Sequence, residues 1–257
     1  MRVVWRVLLT VGLPIVLVAA WWFGSAGSQD FYWPSLSTIV DAAVRTWTWE
    51  MLQQQVLPSL WRLLVGYAVA VVVGVALGVL IGTFRSVRSL LEPVLEFLRA
   101  FPPPVLVPAA ILLAGIGDRT KILVIVFGCV WPVLLNTIEG VRGRDEVLSD
   151  TCRTYRVTGL LRLRHLVLRA ASPQIVTGAR QALPLAIILM VISEMMAANE
   201  GLGFTVLQFQ RGFQIPEMWS GVLLLGLIGI VLSLLFRVAE RSLLGWYHGQ
   251  RAGQREW

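Results

Sequence analysis

The sequence predicts an all-α, polytopic membrane protein with six transmembrane helices, and three observations carry that expectation. Of its 257 residues, 56% are hydrophobic and only 14% are charged, well below the quarter or so usual in soluble domains. Several apolar runs approach the roughly 20 residues that a helix needs to cross a bilayer. The arginines gather in short segments beside those runs, where they set orientation. The net charge of +7 is therefore a membrane pattern and not a nucleic-acid one, and Lys121 is the only lysine. Two cysteines, Cys129 and Cys152, form neither a disulfide framework nor a metal-ligand cluster.

Arg2 and Arg6 precede and enter the first apolar run, about 3–23, and place the N-terminus in the cytoplasm. Trp21-Trp22-Phe23 reads as an interfacial belt rather than a signal-peptide cleavage site. Residues 24–55 are expected outside, with Asp30, Asp41 and Glu50 against Arg45 and a short interfacial helix over 39–51. The second span is expected over 58–83. Its Gly66, Gly74, Gly78 and Gly82 lie on one stripe, which permits close helix approach; generic membrane glycine is the alternative for each. Arg62, near the outer end, can snorkel or pair.

The third span, 92–114, is irregular because Pro102, Pro103 and Pro104 cannot sit inside a regular helix. Backbone freed there must be buried in protein or line a wet cavity, so this bend is expected near a pathway. The fourth span, 121–139, carries Asn136, either a pathway residue or an interhelical hydrogen bond. The fifth, 176–198, carries Ser193 and Glu194 toward its outer end. An acid so deep in a span is a functional candidate, with a structural ion pair as the alternative. The sixth runs over 219–236, and Arg237, Arg241, Arg251 and Arg255 place the tail inside. The expected organisation is 1–56, a first helix and external segment; 57–238, a five-helix core with a cytoplasmic loop at 140–175; and 239–257, a tail.

That loop, from Glu139 to Ile175, holds seven arginines. Asp145 is placed to cap a helix carrying Leu148, Cys152 and Tyr155 on one face. Thr158-Gly159 breaks it, and a second amphipathic helix follows with Leu160, Leu163 and Val167 on one side. The loop is either a positive-inside segment alone or a helix–turn–helix platform for a cytoplasmic partner.

Asp150-Thr151-Cys152, then Thr158-Gly159, then Ala170-Ala171-Ser172-Pro173, in that order, resemble the cytoplasmic EAA loop of binding-protein-dependent ABC importer permeases. The text GVRGRDEVL before it and SEMMAANEGLGF after it is similar to the nitrate/sulfonate/taurine-type subfamily, and the likeness runs from about 34 to 241. The resemblance implies a type I ABC importer permease fold in a bacterial plasma membrane, with both termini cytoplasmic. It also implies that Asp150, Thr151, Cys152, Arg153, Thr154, Tyr155, Arg156, Thr158 and Gly159 contact a separate ATPase. An extracytoplasmic binding protein would deliver a small solute: nitrate, a sulfonate, taurine or a pyrimidine-like vitamin precursor. The chain departs from the family at Asp-Thr-Cys for Glu-Ala-Ala, at Arg156 for glycine and at Arg169 for proline. These departures lead us to expect pairing with a different permease chain rather than a second copy.

No catalytic set, metal site or cofactor is expected. There is no Walker-type lysine loop, and His165 and His248 sit in basic segments. The chain is thus not expected to be an enzyme; ATP hydrolysis falls to a partner. The rival reading is a stand-alone secondary transporter or channel with Glu194 as proton relay.

Overall fold

The computed structural model describes residues 2–28 and 30–245, with side chains from Gly12 onward except those of Glu146 and Ala197. Every regular element among them is helical. In order they are α1 (Arg2–Ser25) and α2 (Leu36–Thr46), α3 (Trp49–Thr83), α4 (Arg85–Arg99) and α5 (Val107–Ala114). There follow α6 (Asp118–Arg142) and α7 (Glu146–Thr154), α8 (Gly159–Met196), α9 (Leu202–Arg211) and α10 (Ile215–Leu243).

The core is a three-helix seam. Leu63 and Ala70 of α3 meet Val124, Ile125, Cys129 and Val133 of α6, and these meet Ala182, Ala186, Leu189 and Met190 of α8. The glycine stripe makes the first half of the seam possible. A Cβ on Gly66, Gly74, Gly78 or Gly82 would meet Ile125, Val133, Thr137 or Val141 respectively. The partner number rises in step with the glycine number, so α3 and α6 run parallel. In α8 the order reverses: Gly178 faces Pro132 and Asn136, while Ala171 faces Gly140, so α8 is antiparallel to α6.

Parallel neighbours fix the topology between them. The chain leaves α3 at one end and must enter α6 at the other, so residues 84–117 make the return crossing. That segment is α4 and α5, bent by 83° around the prolines. It is a broken span and not a loop that returns to its own side. Four helices, α3, α6, α8 and α10, are each long and apolar enough to cross a membrane, and the bent pair makes a fifth crossing. The expected sixth is α1, whose described apolar part is Gly12–Ser25. Trp21 at its end packs against Trp219 at the start of α10, with ring centroids 6.5 Å apart. The N-terminal end of α10 and the C-terminal end of α1 thus share one face of the bundle.

Four expected boundaries change. The interfacial helix is α2, capped by the Ser35 hydroxyl accepting from Thr38 N–H and buried through Leu36, Ile39 and Ala42. Residues 49–51 belong instead to α3, because Thr48 caps a new helix there. A π turn at Leu52–Val56 shifts the hydrogen-bond register just before Pro58, which has no N–H to give. The third span begins at Arg85 rather than 92 and is two helices rather than one. Finally, the second loop helix is no separate element, because 159–175 is the first part of α8. Pro173 fails to break it. Its ring leaves the Arg169 carbonyl without the usual donor, and the Ser172 hydroxyl donates to that oxygen at 2.9 Å. The tail arginines Arg251 and Arg255, and His248, lie outside the described residues.

Candidate functional site

At the end of the bundle where α3 and α6 begin, one arginine holds four segments together. Arg62 is 1% exposed and Glu194 0%. The Arg62 guanidinium donates through Nε to Asp118 Oδ1 at 2.6 Å, through Nη1 to Glu194 Oε1 at 2.9 Å and through Nη2 to Glu200 Oε1 at 2.6 Å. Nη1 also reaches the Glu200 carbonyl at 3.3 Å. Arginine suits this role because its planar fork presents five donors in fixed directions.

Glu194 is satisfied on its other side by α3 and α9. The Ser59 hydroxyl lies 2.8 Å from Oε1, and Gly203 N–H donates to Oε2 at 3.0 Å. The orphan amides that open α9 are taken up in the same way. Gly201 N–H donates to Gln55 Oε1 and Leu202 N–H to Ser59 Oγ, each at 2.8 Å. A helix N-terminus therefore rests on a carboxylate, a carboxamide and a hydroxyl, where its unpaired N–H groups and positive dipole end favour acceptors. Glycine is required at the approach. Gly201 has φ +120°, and a Cβ there would lie 2.5 Å from Glu194 Cδ.

Lys121 completes the cluster. It is buried, with Nζ 3.6 Å from Asp118 Oδ1. Beside it lies a cavity of about 300 Å³ lined by Arg62, Asp118, Lys121, Asn199 and Glu200. Two cations and two carboxylates thus line its wall, with Glu194 behind Arg62.

The other residues singled out from the sequence lie elsewhere. Ser193 is buried beside Glu194, but its hydroxyl donates to Met190 O within its own helix at 2.9 Å. Pro102 is extended, and Pro103–Leu106 forms a 3-10 turn. Pro103 packs beside Gly128, about halfway along α6. Asn136 Nδ2 donates to Gln181 Oε1 at 3.1 Å, an α6–α8 bridge, and to Pro132 O at 2.8 Å. These groups line different levels of the seam and do not converge on one point.

The opposite end of the bundle carries α7. Asp145 caps it, accepting from Val147 N–H at 2.7 Å. Thr151 and Thr154 turn their hydroxyls back to the Val147 and Asp150 carbonyls. Asp150, Arg153, Tyr155, Arg156, Thr158 and Gly159 are all exposed, and Cys152 is half-buried. With Leu148, Leu160 and Leu161 also exposed, an apolar and basic knob stands clear of the bundle. Its turn is built on strain. Val157 N–H donates to Cys152 O at 2.8 Å and Arg156 N–H to Arg153 O at 3.1 Å, the Schellman pattern. The residue at its left-handed position is Arg156, at φ +54°.

The sequence marks Arg62 only as a residue that snorkels or pairs, and it assigns no site role to Gln55, Ser59, Asp118, Lys121 or Glu200. The available signal was charge sign: Arg62 and Glu194 are opposite charges at corresponding depths of two spans. The sites for Gln55 and Ser59 carry no such signal, because uncharged polar residues near span ends are common.

Residues 70–244 match the family model described as binding-protein-dependent transport system inner membrane component. A putative ABC transporter permease protein of Methanocaldococcus jannaschii is 33% identical over 189 residues, 73% of this chain and 71% of that one. The taurine transport system permease protein of Escherichia coli is 27% identical over 262 residues, 97% of this chain and 95% of that one. Among solved structures, one of inward-facing conformations of the MetNI methionine ABC transporter superposes with a TM-score of 0.62 at 19% identity, covering 77% of this chain and 95% of that one. This last likeness is one of fold.

Proposed function

Because the chain belongs to the family of binding-protein-dependent transport system inner membrane components, and so is the multi-pass permease subunit of an ABC importer, we propose how it couples and what it carries. The knob formed by α7 and the 155–159 turn seats in a groove of a separate cytoplasmic ATPase subunit. Its closure on ATP moves α8, which is continuous with the turn, and so transmits motion to the core seam without a flexible joint. The observation that carries this reading is that Tyr155, in the turn, and Leu160 and Leu161, at the start of the 38-residue helix α8, all lie exposed. Both termini then lie in the cytoplasm, and the end bearing Arg62 and Glu194 faces outward.

A second permease chain completes the pathway, and an extracytoplasmic binding protein delivers solute at the outer end. Glu194, Ser193, the Pro102–Pro104 bend and Asn136 face or support that pathway. The substrate is a small solute of the sulfonate or taurine kind, a reading supported by the taurine permease relative. The rival reading, Glu194 as proton relay of a stand-alone transporter, gains nothing from its surroundings, since both carboxylate oxygens already accept hydrogen bonds.

The test is co-expression with an ABC ATPase of the same organism, followed by purification through the permease. A stable complex with substrate-stimulated hydrolysis is expected. Transport in vesicles without any ATPase would overturn the reading.

A further inference from the structure

Between α8 and α10, toward the end that bears α7, lies a cavity of about 440 Å³ walled by Arg180, Arg237, Glu240 and Arg241 together with Leu183 and Phe236. Arg180 pairs with Glu240. Among the described residues, Arg237 and Arg241 have no carboxylate partner, so two cations face the opening. The cavity continues, through shared Pro184, Ser233 and Arg237, into a groove of about 400 Å³ walled by Ile187, Gly226, Gly229 and Ile230. The groove exists because α10 has glycine where it faces Pro184 and Ile187 of α8. A Cβ on Gly226 would meet nothing within 4 Å, and one on Gly229 would touch only Ile187, at 3.6 Å. From Arg237 to Gly226 the groove runs about 16 Å along the helix axis, at about 1.5 Å for each residue.

We propose that this is a binding site for an anionic phospholipid, with the phosphate between Arg237 and Arg241 and one acyl chain laid along the Gly226–Gly229 groove. Charge complementarity selects the headgroup: paired arginines at a membrane interface bind phosphate oxygens by charge-assisted hydrogen bonds. Continuity with the apolar groove selects a lipid over a free anion, because a soluble phosphate would fill the cavity and leave the groove empty. The Arg180–Glu240 pair ties α8 to α10 at the same level. The bound lipid therefore fills the wedge between the helix that continues into the 155–159 turn and the peripheral helix α10.

The test is native mass spectrometry of the full-length chain purified from membranes and titrated with phosphatidylglycerol or phosphatidylcholine. Phosphatidylglycerol is expected to bind more tightly. The variant R237Q/R241Q should weaken phosphatidylglycerol binding by about thirtyfold, with phosphatidylcholine little changed. Gly226→Leu should weaken both lipids by filling the groove while leaving both arginines in place. Equal affinity for the two lipids in the unaltered chain would overturn the proposal without recourse to any variant. So would full competition by inorganic phosphate, which would mark a soluble-anion site. A Ser233→Cys chain that forms disulfide-linked pairs in native membranes would also overturn it, by showing that a second copy covers the groove.

Discussion

Arg62 of α3 and Glu194 of α8 form an ion pair of 2.9 Å between two side chains that are 1% and 0% exposed. Glu194 has no water to fall back on, and Arg62 meets only the cavity beside Lys121. Removing one partner leaves the other buried and uncompensated, which typically costs about 3–5 kcal/mol. Arg62→Leu is the harsher change, because Glu194, Asp118 and Glu200 then face one another with only Lys121 to offset them. Glu194→Gln keeps one acceptor oxygen, which at the Oε2 position still serves Ser59 and Gly203, and Arg62 keeps Asp118 and Glu200, so it should cost less. The double variant R62L/E194L should be less destabilised than the sum of the two single changes. Thermal unfolding in detergent measures all three, and strict additivity would show that the pair is not coupled.

The glycine stripe separates two explanations, packing and backbone freedom. A Cβ on Gly78 would lie 2.6 Å from Thr137 Cβ and 2.9 Å from the Leu134 carbonyl, and backbone cannot yield cheaply. Gly78→Ala should destabilise by about 1–3 kcal/mol. At Gly226 nothing lies within 4 Å, so Gly226→Ala should be neutral or stabilise by up to about 1 kcal/mol. Equal effects at the two positions would mean that α3 and α6 do not approach as described.

Topology offers a test with the native thiols. Cys129 is buried and Cys152 half-buried on α7. In intact cells a membrane-impermeant maleimide should leave Cys152 unlabelled until the membrane is opened. With Cys152 replaced by serine, Ser28→Cys and Gln214→Cys should label from outside. The reverse pattern would invert the orientation.

The sequence made the membrane class, the stripe of small residues and the α7 cap legible, because each depends on local spacing. Gly66, Gly74, Gly78 and Gly82 could be aligned on one face, yet nothing in them names their partners; Ile125, Val133, Thr137 and Val141 follow only once α3 and α6 are placed parallel. Pro173 removes a donor, yet α8 runs through it. There the Ser172 hydroxyl turns back to the Arg169 carbonyl, a rotamer choice that spacing does not reveal. Glu194 was visible as a deep acid, but its meaning depended on Arg62, 132 residues away. Long-range pairing of this kind is set by packing of the whole bundle.

Coupling can be broken without breaking the fold. Arg153 is exposed and meets Asp150 only at 3.9 Å, so it carries little stability. Arg153→Glu should leave membrane insertion and unfolding temperature unchanged while weakening ATPase binding through charge reversal. Gly159, at φ +59° with nothing near its Cβ position, starts α8. Proline there cannot adopt that angle, so Gly159→Pro should disconnect the knob from the helix and uncouple hydrolysis from transport. If both variants assemble and transport normally, the knob is not the contact.

Arg156 gives the sharpest prediction, because strain and function pull in opposite directions. It occupies the left-handed position of the Schellman turn that closes α7, at φ +54°. A side chain there costs about 1 kcal/mol relative to glycine. Arg156→Gly should therefore stabilise the α7 turn by about 0.5–1 kcal/mol, read as slower amide exchange in α7. If the arginine serves only as a tolerated departure, coupling should stay the same or rise. If it meets an acidic group on one ATPase, complex formation should fall despite the firmer turn. The same variant bears on the expected pairing with a different permease chain. Where a different permease supplies the second knob, Arg156→Gly should change hydrolysis only modestly, because the partner knob still couples. Two copies of this chain in one active complex, weighed intact with no other permease present, would overturn the expectation of an unlike pair.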